Sequence, residues 1–582
     1  MTEKKENVKN IVLFALLLSG AITIMIFIVS FVAELFLQDP ISLLTEGTPR
    51  RASVEMLCYI LSISLIFLYI LLKEGIQEKT ISRKSGIVAV ALLTYLFSSI
   101  SLAVFLSLTT EIIDYEKLSE TEMYPTYSEN MKYCIKKLIK KDKKLCTFNL
   151  KESFFDAISG FTTTGLTAFE RTYVDDMNGE EISKIDVQPN LIHIIRASYL
   201  WIGGLGIMFF YLYFTPVPSL MMSMGYKIPS ERSLPKFIRL ESFTFSLVYV
   251  AITALGILLL FLTFSSSCPY EIDNKNVMTY SVVLTFSSIS TGGFSPTSEP
   301  IDQIKTGTCQ ITDLGLLIIM VLMLAGAIPI FSLHRPLKFF RKWIAVVVVF
   351  LLPILIVAVV FYHEPKPRTT LYRSFDAISA FTTTGLYTSQ FEEDFGTFSE
   401  FRGIPESKTG FEIREIIRIY RRPLQDVYMI VLMFIGGAAY STAGGWGFFN
   451  AYCIIYALYL VVTGKFERGL LKYIFGLILS FIIFFSIFAI GTFLCYRSGL
   501  FGTFLDPEST SITDYIIPSA FYEISALSTV GLMPSYNNMS LSIDIYYHNL
   551  AYWTLAISML IGRLYYIIFP FLVSAFVSGE ER

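Results

Sequence analysis

The sequence predicts an all-α polytopic membrane protein, with two N-terminal helices followed by four tandem helix–loop–helix units. Three observations indicate this fold class. The 582-residue chain is unusually apolar, it contains ten apolar runs of about the length that crosses a bilayer, and one short motif occurs four times between those runs. The first observation excludes a string of soluble domains, the second predicts the helices, and the third predicts the units.

Composition also narrows the functional classes. The residues AVILMFWYC make up 53% of the chain and charged residues make up 16%, whereas soluble domains carry about 25% charge. The 46 basic and 48 acidic residues leave a net charge of −2, which offers no basic face to a nucleic acid. The seven cysteines and four histidines are not clustered at zinc-binding spacings. We therefore expect neither a nucleic acid partner nor a metalloenzyme.

The apolar runs define the predicted spanning helices. Each run is apolar on all sides, as a lipid-facing helix must be. The first run is too long for a signal peptide and lacks a small-residue cleavage pattern, so we treat it as a helix. The runs lie at 10–37, 56–73, 86–109, 191–214, 243–264, 312–333, 343–361, 424–461, 470–495 and 549–578.

Basic residues in the short connections predict the orientation. Lys and Arg occur in the N-terminal tail and after the second, fourth, sixth and eighth runs, all on one side. Cytoplasmic loops collect these residues, so we expect a multi-pass protein of the cytoplasmic (inner) membrane with both termini in the cytoplasm. The loops at 110–152 and 389–423 are also basic, but long loops are exempt from the rule and are expected outside.

Four cysteines fall on the predicted outer side. Cys134 and Cys146 share the first long outer loop, while Cys268 and Cys309 flank a later outer segment. In an oxidising compartment these thiols could form two disulfides, and 134–146 with 268–309 is the local pairing. The sequence leaves both the connectivity and the formation of either bridge open.

The repeated motif is an apolar run with a Thr-x-Gly ending. Its copies are FDAISGFTTTGLTAF (155–169), LTFSSISTGGFSPT (284–297), FDAISAFTTTGLYTS (375–389) and YEISALSTVGLMPS (522–535). Each copy lies between two predicted spanning helices, which makes it the centre of one unit. The predicted division is an N-terminal helix pair at 1–85 and units at 86–242, 243–340, 341–465 and 466–582.

Each copy is too short to span a bilayer, so we expect a re-entrant half-helix followed by non-helical Thr and Gly. Such backbone is tolerated at membrane depth only where protein buries it or water lines it, which predicts four pore loops around one central pore. The alternative is that these small residues only pack helices closely. Four copies in register, each with flanking helices, favour the pore.

The residue types predict the ion. Glycine lets successive carbonyls face a common axis and replace the hydration shell of a cation. No carboxylate lies inside a Thr-x-Gly stretch, and neutral oxygens favour a monovalent ion, potassium above all. Asp156 and Asp376 precede two stretches and are expected to cap or anchor the half-helices near their outer ends. The predicted filter residues are Thr163, Thr164, Gly165, Thr291, Gly292, Gly293, Thr383, Thr384, Gly385, Thr529, Val530 and Gly531.

These motifs resemble those of the Trk/Ktr/HKT superfamily of potassium transporters. WIGGLGI (201–207), FIGGAAYSTAGGWG (434–447) and MLIGRL (559–564) add to the resemblance, which runs from about residue 86 to the end and is greatest to the bacterial Trk membrane subunits. It implies that Gly165, Gly293, Gly385 and Gly531 are filter glycines and that K⁺ is the transported ion, with no organic cofactor. It also implies a homodimer in the lipid bilayer and a cytosolic ring of nucleotide-binding regulatory subunits.

The eighth run contains a predicted break. Its middle, GGAAYSTAGGWG, is a poor helix former and is either a hinge or a tight packing site. The resemblance implies a gate loop below the filter. Arg563, alone in the last run, would face the bundle interior or reach to the cytoplasm, and the resemblance implies a contact with the gate. Tyr440, Trp446 and the LYY after Arg563 depart from the family pattern. The predicted gate residues are Gly436, Gly437, Ser441, Thr442, Ala443, Gly444, Gly445 and Arg563.

The expected function is potassium-selective, channel-like uptake driven by the electrochemical gradient. No Walker or GxGxxG motif indicates a nucleotide motor in this chain. A sodium-coupled or sodium-permeable transporter of the same fold is one alternative. Another is the ion-binding subunit of an ATP-driven pump. An enzyme is disfavoured because no intramembrane acid–base or nucleophile pair is evident.

Overall fold

The structure is a computed structural model. It describes residues 84–112, 146–169, 172–173, 181–214, 234–268, 274–306, 309–328, 367–391, 423–438, 441–447, 450, 468–499, 513–533 and 542–578, with a few positions between 15 and 23. The predicted spans at 56–73 and 343–361, the basic connection at 335–342, Cys134 and Tyr440 lie outside the described residues.

Twelve α-helices account for most of the described chain, in agreement with the predicted all-α class. Seven of the ten predicted spans correspond to helices, and the run predicted at 312–333 ends early, at Ala327. The helices are α1 (Lys84–Ile112), α2 (Leu150–Phe161), α3 (Asn190–Phe214), α4 (Leu234–Ser266), α5 (Asn274–Ile289), α6 (Asp313–Ala327), α7 (Pro367–Phe381), α8 (Pro423–Ile435), α9 (Arg468–Arg497), α10 (Thr513–Leu527), α11 (Ser542–Tyr547) and α12 (Asn549–Ser578).

A long helix, a short helix and a second helix recur along the chain. The series are α1–α2–α3, α4–α5–α6 and α9–α10–α12, and α7–α8 supply the last two members of another. We call α1–α2–α3 the first unit, α4–α5–α6 the second unit, α7–α8 the third unit and α9–α10–α12 the fourth unit. The short helices α2, α5, α7 and α10 each end immediately before a Thr-x-Gly stretch, which explains why the sequence repeat and the structural repeat coincide.

Two short antiparallel ribbons lie between the helices. The all-α prediction did not include them. Strands β1 (Thr172–Tyr173) and β2 (Glu181–Ile182) pair after the first Thr-x-Gly stretch, and β3 (Lys305–Thr306) pairs with β4 (Cys309–Gln310) after the second. Two-residue strands carry too little pattern to be read from sequence.

Buried apolar clusters join each unit to the next. One cluster packs α4, α5 and α6 against α7 through residues such as Leu284 and Phe375. A second packs α7 and α8 against α9 and α10, a third packs α10 and α12 against α2, and a fourth packs α3 against α5. The four contacts run from unit to unit in order and return to the first unit, so the short helices are held around a common centre.

Outward-facing side chains identify the surface expected to contact lipid. Three helical stretches within the described residues, Ala89–Glu111, Thr244–Ser266 and Phe475–Arg497, are long and apolar enough to cross a membrane. Large apolar side chains on them are exposed, including Leu247 at 60% and Ile490 at 61%. Exposed apolar surface on this scale is costly in water and is typical of a protein that faces hydrocarbon.

Candidate functional site

The four Thr-x-Gly stretches share one unusual backbone conformation. Their threonines have φ values between 51° and 56°, in the left-handed region. β-branched residues rarely adopt this region, and a residue held in it costs on the order of 1–3 kcal/mol. The glycines two residues later also have positive φ, from 74° to 93°. The same strained conformation in four places indicates that a function depends on it, because packing alone would select glycine at both positions.

Hydrogen bonds explain how the conformation is held. In the first unit the amide of Thr163 donates to the carbonyl of Gly160 at 2.9 Å, and the amide of Thr164 donates to that of Ser159 at 2.7 Å. This pair of bonds is the Schellman motif, which ends a helix with one left-handed residue. The other units repeat it, with Gly292, Thr384 and Val530 donating to the carbonyls of Ser287, Ser379 and Ser525. The amides are thereby satisfied within each unit, which leaves the carbonyls of the stretch available.

The four stretches form a closed ring. A Cβ atom added to Gly165 would overlap the carbonyl oxygen of Gly292, which belongs to the second unit. The same relation links Gly293 to the third unit, Gly385 to the fourth and Gly531 back to the first, through the carbonyls of Thr384, Val530 and Thr164. Each glycine is therefore required by the neighbouring unit as well as by its own φ angle.

A layer of threonine hydroxyls lies at the helix end of the ring. All four threonines are at most 1% exposed. The hydroxyls of Thr163 and Thr529 are buried and make no hydrogen bond with any residue that the structure describes. Buried polar atoms are nearly always satisfied, so these oxygens fit a site that a cation or a water molecule would complete.

Glycines in the second helices let those helices approach the ring. Cβ atoms added to Gly203, Gly326 and Gly562 would overlap the carbonyls of Phe161, Ile289 and Leu527. Those three carbonyls occupy the same position in their units, four residues before the ring glycine. The residues that follow these glycines, Gly204, Ala327 and Arg563, are thus equivalent, and among these three only Arg563 carries a charge.

The predicted break in the eighth run is a loop. Helix α8 ends at Ile435, and the chain that follows, described at 436–438 and 441–447 and here called loop 436–447, turns back on it. The amides of Trp446 and Gly447 donate to the carbonyls of Phe434 and Ile435, each at 2.8 Å. Gly436, Gly445 and Gly447 have positive φ values, which explains why the segment is rich in glycine.

Loop 436–447 contacts the threonine layer directly. Thr291 donates to the Thr442 hydroxyl at 3.1 Å, and the Gly444 amide donates to the Thr383 hydroxyl at 2.6 Å. Thr442 also donates to the carbonyl of Gly326 at 2.8 Å. The loop therefore lies at the helix end of the ring, against threonines of the second and third units.

Arg563 also bonds the loop, through the main chain of Thr442. Its Nη1 donates to the Thr442 carbonyl at 2.6 Å and its Nη2 to the Gly203 carbonyl at 3.4 Å. The side chain is 1% exposed, which excludes the expectation that it reaches to the cytoplasm. No carboxylate pairs with it within the described part of the chain. The loop, α3 and α12 are thus joined through one buried cation.

Two residues that depart from the pattern of the resembled family, Trp446 and Tyr565, bond the same residue of α9. The Trp446 ring nitrogen donates to Ser480 on α9 at 3.1 Å, and Tyr565, in the LYY sequence, donates to the Ser480 carbonyl at 2.9 Å. The hydroxyls of Ser480 and Tyr565 are also hydrogen-bonded to each other. Both residues therefore bond α9, Trp446 from loop 436–447 and Tyr565 from α12.

The predicted helix-capping role of Asp156 and Asp376 was wrong. Both lie inside helices because α2 and α7 begin earlier than the apolar run suggests, and Asn149 caps α2 together with Glu152. Asp156 forms a buried ion pair with Arg196, with the two oxygens accepting from Nε and Nη2 at 2.9 Å each. Asp376 accepts from the amide and hydroxyl of Thr388, each at 2.8 Å. Neither aspartate caps a helix, whereas the other expectation, that they anchor the half-helices, agrees with these contacts: Asp156 joins α2 to α3, and Asp376 joins α7 to Thr388.

The segments that follow the first three stretches are also joined by hydrogen bonds. Asp186 accepts from the Ser298 amide at 2.7 Å and from its hydroxyl, and Asp302 accepts from the Ser389 amide and hydroxyl at 2.6 Å each. The first bond links units one and two, and the second links units two and three.

Of the predicted disulfides, Cys268–Cys309 is formed, with Cα atoms 4.3 Å apart. Cys146 is buried, and its suggested partner Cys134 lies outside the described residues.

Sequence reasoning missed Arg196, although a signal was present. A lone arginine within an apolar span usually faces the protein interior with a partner. That argument was applied to Arg563, and it applies equally to Arg196 in the run at 191–214. The Asp–Ser links and the Trp446–Ser480 contact had no such signal because their members are distant in sequence.

Comparisons with known proteins agree with this architecture. The chain is similar in structure to the potassium transporter TrkH from Vibrio parahaemolyticus, with a TM-score of 0.55 and 17% identity over 96% of this chain and 98% of that one. It is 26% identical over 308 residues to a protein of Methanocaldococcus jannaschii described as an uncharacterized cation transporter. That match spans about half of each protein, 51% in both cases. No family model matches the chain. The chain has the TrkH fold, an all-α fold.

Proposed function

We propose that this chain is a membrane transporter of the Trk type that conducts potassium ions through the ring of Thr-x-Gly stretches. The observation that carries the proposal is the closed ring, in which four left-handed threonines and four positive-φ glycines are each packed against the next unit. We expect such a ring to present neutral oxygens to a common axis from four sides. The similarity to a potassium transporter and to a described cation transporter supports the same class, and it favours transport over enzymatic function.

The ring fits a dehydrated monovalent cation. Its carbonyls are free of the amides, which bond back into the short helices, so they are available to replace a hydration shell. The buried hydroxyls of Thr163 and Thr529 would complete the inner coordination. The short helices end at the ring, so each directs about half an elementary negative charge toward it. Four such ends favour a cation without the help of a carboxylate. A site of neutral oxygens suits potassium better than a divalent ion.

Loop 436–447 and Arg563 would form the gate. The loop lies against Thr291 and Thr383, so an ion leaving the ring toward the cytoplasm meets it next. Arg563 adds a buried positive charge beside it, which opposes passage of a cation. In this proposal the gate opens when the loop moves away from the threonine layer. A cytosolic nucleotide-binding regulatory subunit is the proposed trigger, and a homodimer in the cytoplasmic membrane, with both termini inside, is the proposed assembly.

The driving force would be the electrochemical gradient. A membrane potential supplies about 2.3 kcal/mol per elementary charge for each 100 mV. At about 1.4 kcal/mol per tenfold concentration ratio, this sustains accumulation of several tens-fold. The chain therefore needs no nucleotide motor of its own. The unit boundaries at 86–242, 243–340, 341–465 and 466–582 stay a prediction.

The test is ion flux through the purified full-length protein in liposomes. We expect the wild type to pass ⁸⁶Rb⁺, with K⁺ competing more strongly than Na⁺. In Gly293→Ser the side chain would overlap the Thr384 carbonyl at a φ of +74°, so we expect loss of that preference. Gly206→Ser is the matched control, because a Cβ at Gly206 meets nothing within 4 Å. Equal competition by Na⁺ in the wild type would favour the sodium-permeable alternative, and absence of flux in both the wild type and the gate variant Arg563→Gln would refute the proposal.

A further inference from the structure

Arg196 connects two units behind the ring. It lies on α3 of the first unit and is 1% exposed. Besides its two hydrogen bonds to Asp156 on α2, its guanidinium carbon lies 4.2 Å from the centre of the Phe294 ring. Phe294 belongs to the second unit and directly follows the ring glycine Gly293. One arginine therefore contacts both the short helix of one unit and the filter end of the next.

Phe294 is held firmly on its other sides. Its carbonyl accepts from the Ser287 hydroxyl at 2.5 Å. Its ring packs against Gly160 of the first unit, where an added Cβ would come within 3.1 Å of it. Because the ring is confined between Gly160 and Arg196, a change at either residue is transmitted to the adjoining main chain of Gly293.

The register of α3 extends this contact along the second stretch. Arg196, Leu200 and Gly204 are spaced four residues apart, so they lie on one face of the helix. They meet, in order, Phe294, Gly292 and Ser290. This face of the first unit thus follows the back of the second Thr-x-Gly stretch over its whole length, and Arg196 is its outermost contact.

The other described supports are of a different kind. Asp376 in the third unit bonds Thr388, which follows the ring in the same unit. In the fourth unit Glu523 accepts from Ser558 on α12 at 2.6 Å. Lys184 pairs with Glu152 at the start of α2, at 2.9 Å. Of the two ion pairs Arg196–Asp156 and Lys184–Glu152, the first is the one whose cation also contacts the filter end of a neighbouring unit.

We propose that Arg196 is a positioning residue for ion selectivity, an inference that rests on the proposed function. Paired with Asp156, it stacks on Phe294 and fixes the second stretch at a set distance from the first. Selection of K⁺ over the smaller Na⁺ requires the ring oxygens to hold their positions within about 0.5 Å. Because Asp156 neutralises the arginine, its effect is exerted through geometry and not through a net charge.

The experiment compares ⁸⁶Rb⁺ with ²²Na⁺ flux in liposomes for two variants of the full-length protein. Arg196→Lys keeps the charge but loses the planar fork and the stacking surface. Phe294→Leu removes the ring and leaves the ion pair intact. For both we expect the Rb⁺:Na⁺ ratio to fall about tenfold, or about 1.4 kcal/mol, while total flux persists. The control is Lys184→Met, which breaks the other buried pair on α2 away from the ring, and there we expect lower thermal stability with an unchanged ratio.

Two outcomes would overturn the inference, and a third would overturn the proposed function on which it rests. The inference fails if Phe294→Leu or Arg196→Lys, folded and reconstituted, keeps the wild-type ratio. It also fails if Lys184→Met lowers the ratio equally, because general destabilisation would then account for the effect. If neither the wild type nor the gate variant Arg563→Gln passes either ion, the proposed function itself fails. A selective wild type with selective variants overturns only the role of Arg196.

Discussion

The ring repeats one arrangement four times, whereas the layer beneath it holds a different residue or segment in each unit. In the ring, the four Thr-x-Gly segments adopt one backbone conformation, with threonine φ values that agree within 5°. In the layer beneath, equivalent positions hold Gly204, Ala327 and Arg563, and the third unit contributes loop 436–447. Under the proposed function this difference follows from physics. Replacing a hydration shell requires oxygens on all sides, whereas blocking a path requires one element that can move alone.

The largest expected effect comes from breaking the repetition in the ring. Gly531→Ala places a Cβ at φ +93° against the Thr164 carbonyl, and such strain of about 2–3 kcal/mol predicts about a hundredfold loss of Rb⁺ flux. The measurement is flux per folded protein in liposomes. The control is Gly499→Ala, which shares the positive φ (+73°) but has nothing within 4 Å. Equal losses in the two variants would show that strain, and not the ring, is responsible.

The next effect should come from removing the charge beneath the ring. Arg563→Gln eliminates a buried cation that no described carboxylate neutralises and weakens its bonds to Thr442 and Gly203. We expect Rb⁺ flux in the absence of a regulatory subunit to rise about tenfold. Arg497→Gln, at an exposed position at the end of α9, should leave flux unchanged. A fall in flux for Arg563→Gln would mean that the arginine supports conduction instead of opposing it.

A smaller effect is expected where the loop is attached to α9. Trp446→Phe keeps an aromatic ring but loses the hydrogen bond to Ser480, which is worth about 1 kcal/mol. Unregulated flux should rise about fivefold because the closed loop is less stable. Trp553→Phe is the matched control, since that ring is 51% exposed on α12. If Trp446→Phe gates like the wild type, then the loop is held by Thr442 and Arg563 alone.

The smallest effect on transport should come from the Cys268–Cys309 disulfide. Cys268→Ser with Cys309→Ser removes a bridge that closes a 41-residue separation, a change that typically costs about 2–4 kcal/mol of stability. Thermal unfolding of the detergent-solubilised protein should occur at a lower temperature, and the Rb⁺:Na⁺ ratio should not change. Reducing agent applied to the wild type should reproduce the result. An altered ratio would extend the site to the outer segment.

Sequence reasoning predicted the repeated features well and the unrepeated ones poorly. The positions of α3, α9 and α12 agree with the apolar runs, and the four motifs end their short helices as expected. The capping role of Asp156 was wrong because an apolar run does not mark where a helix begins. Asn149 and Glu152 form a capping box at the true start, a signal that was present in the sequence.

The sequence by itself determined the class of molecule. Apolar runs of sufficient length dictate spanning helices, and the four Thr-x-Gly motifs dictate four equivalent loops, since both signals are local and repeated. Only the tertiary structure decided which oxygens and side chains meet. The closure of the ring from Gly531 to Thr164, and the bridge from Asp156 through Arg196 to Phe294, join residues from different units. Such contacts depend on how the helices pack, and no local pattern specifies that packing.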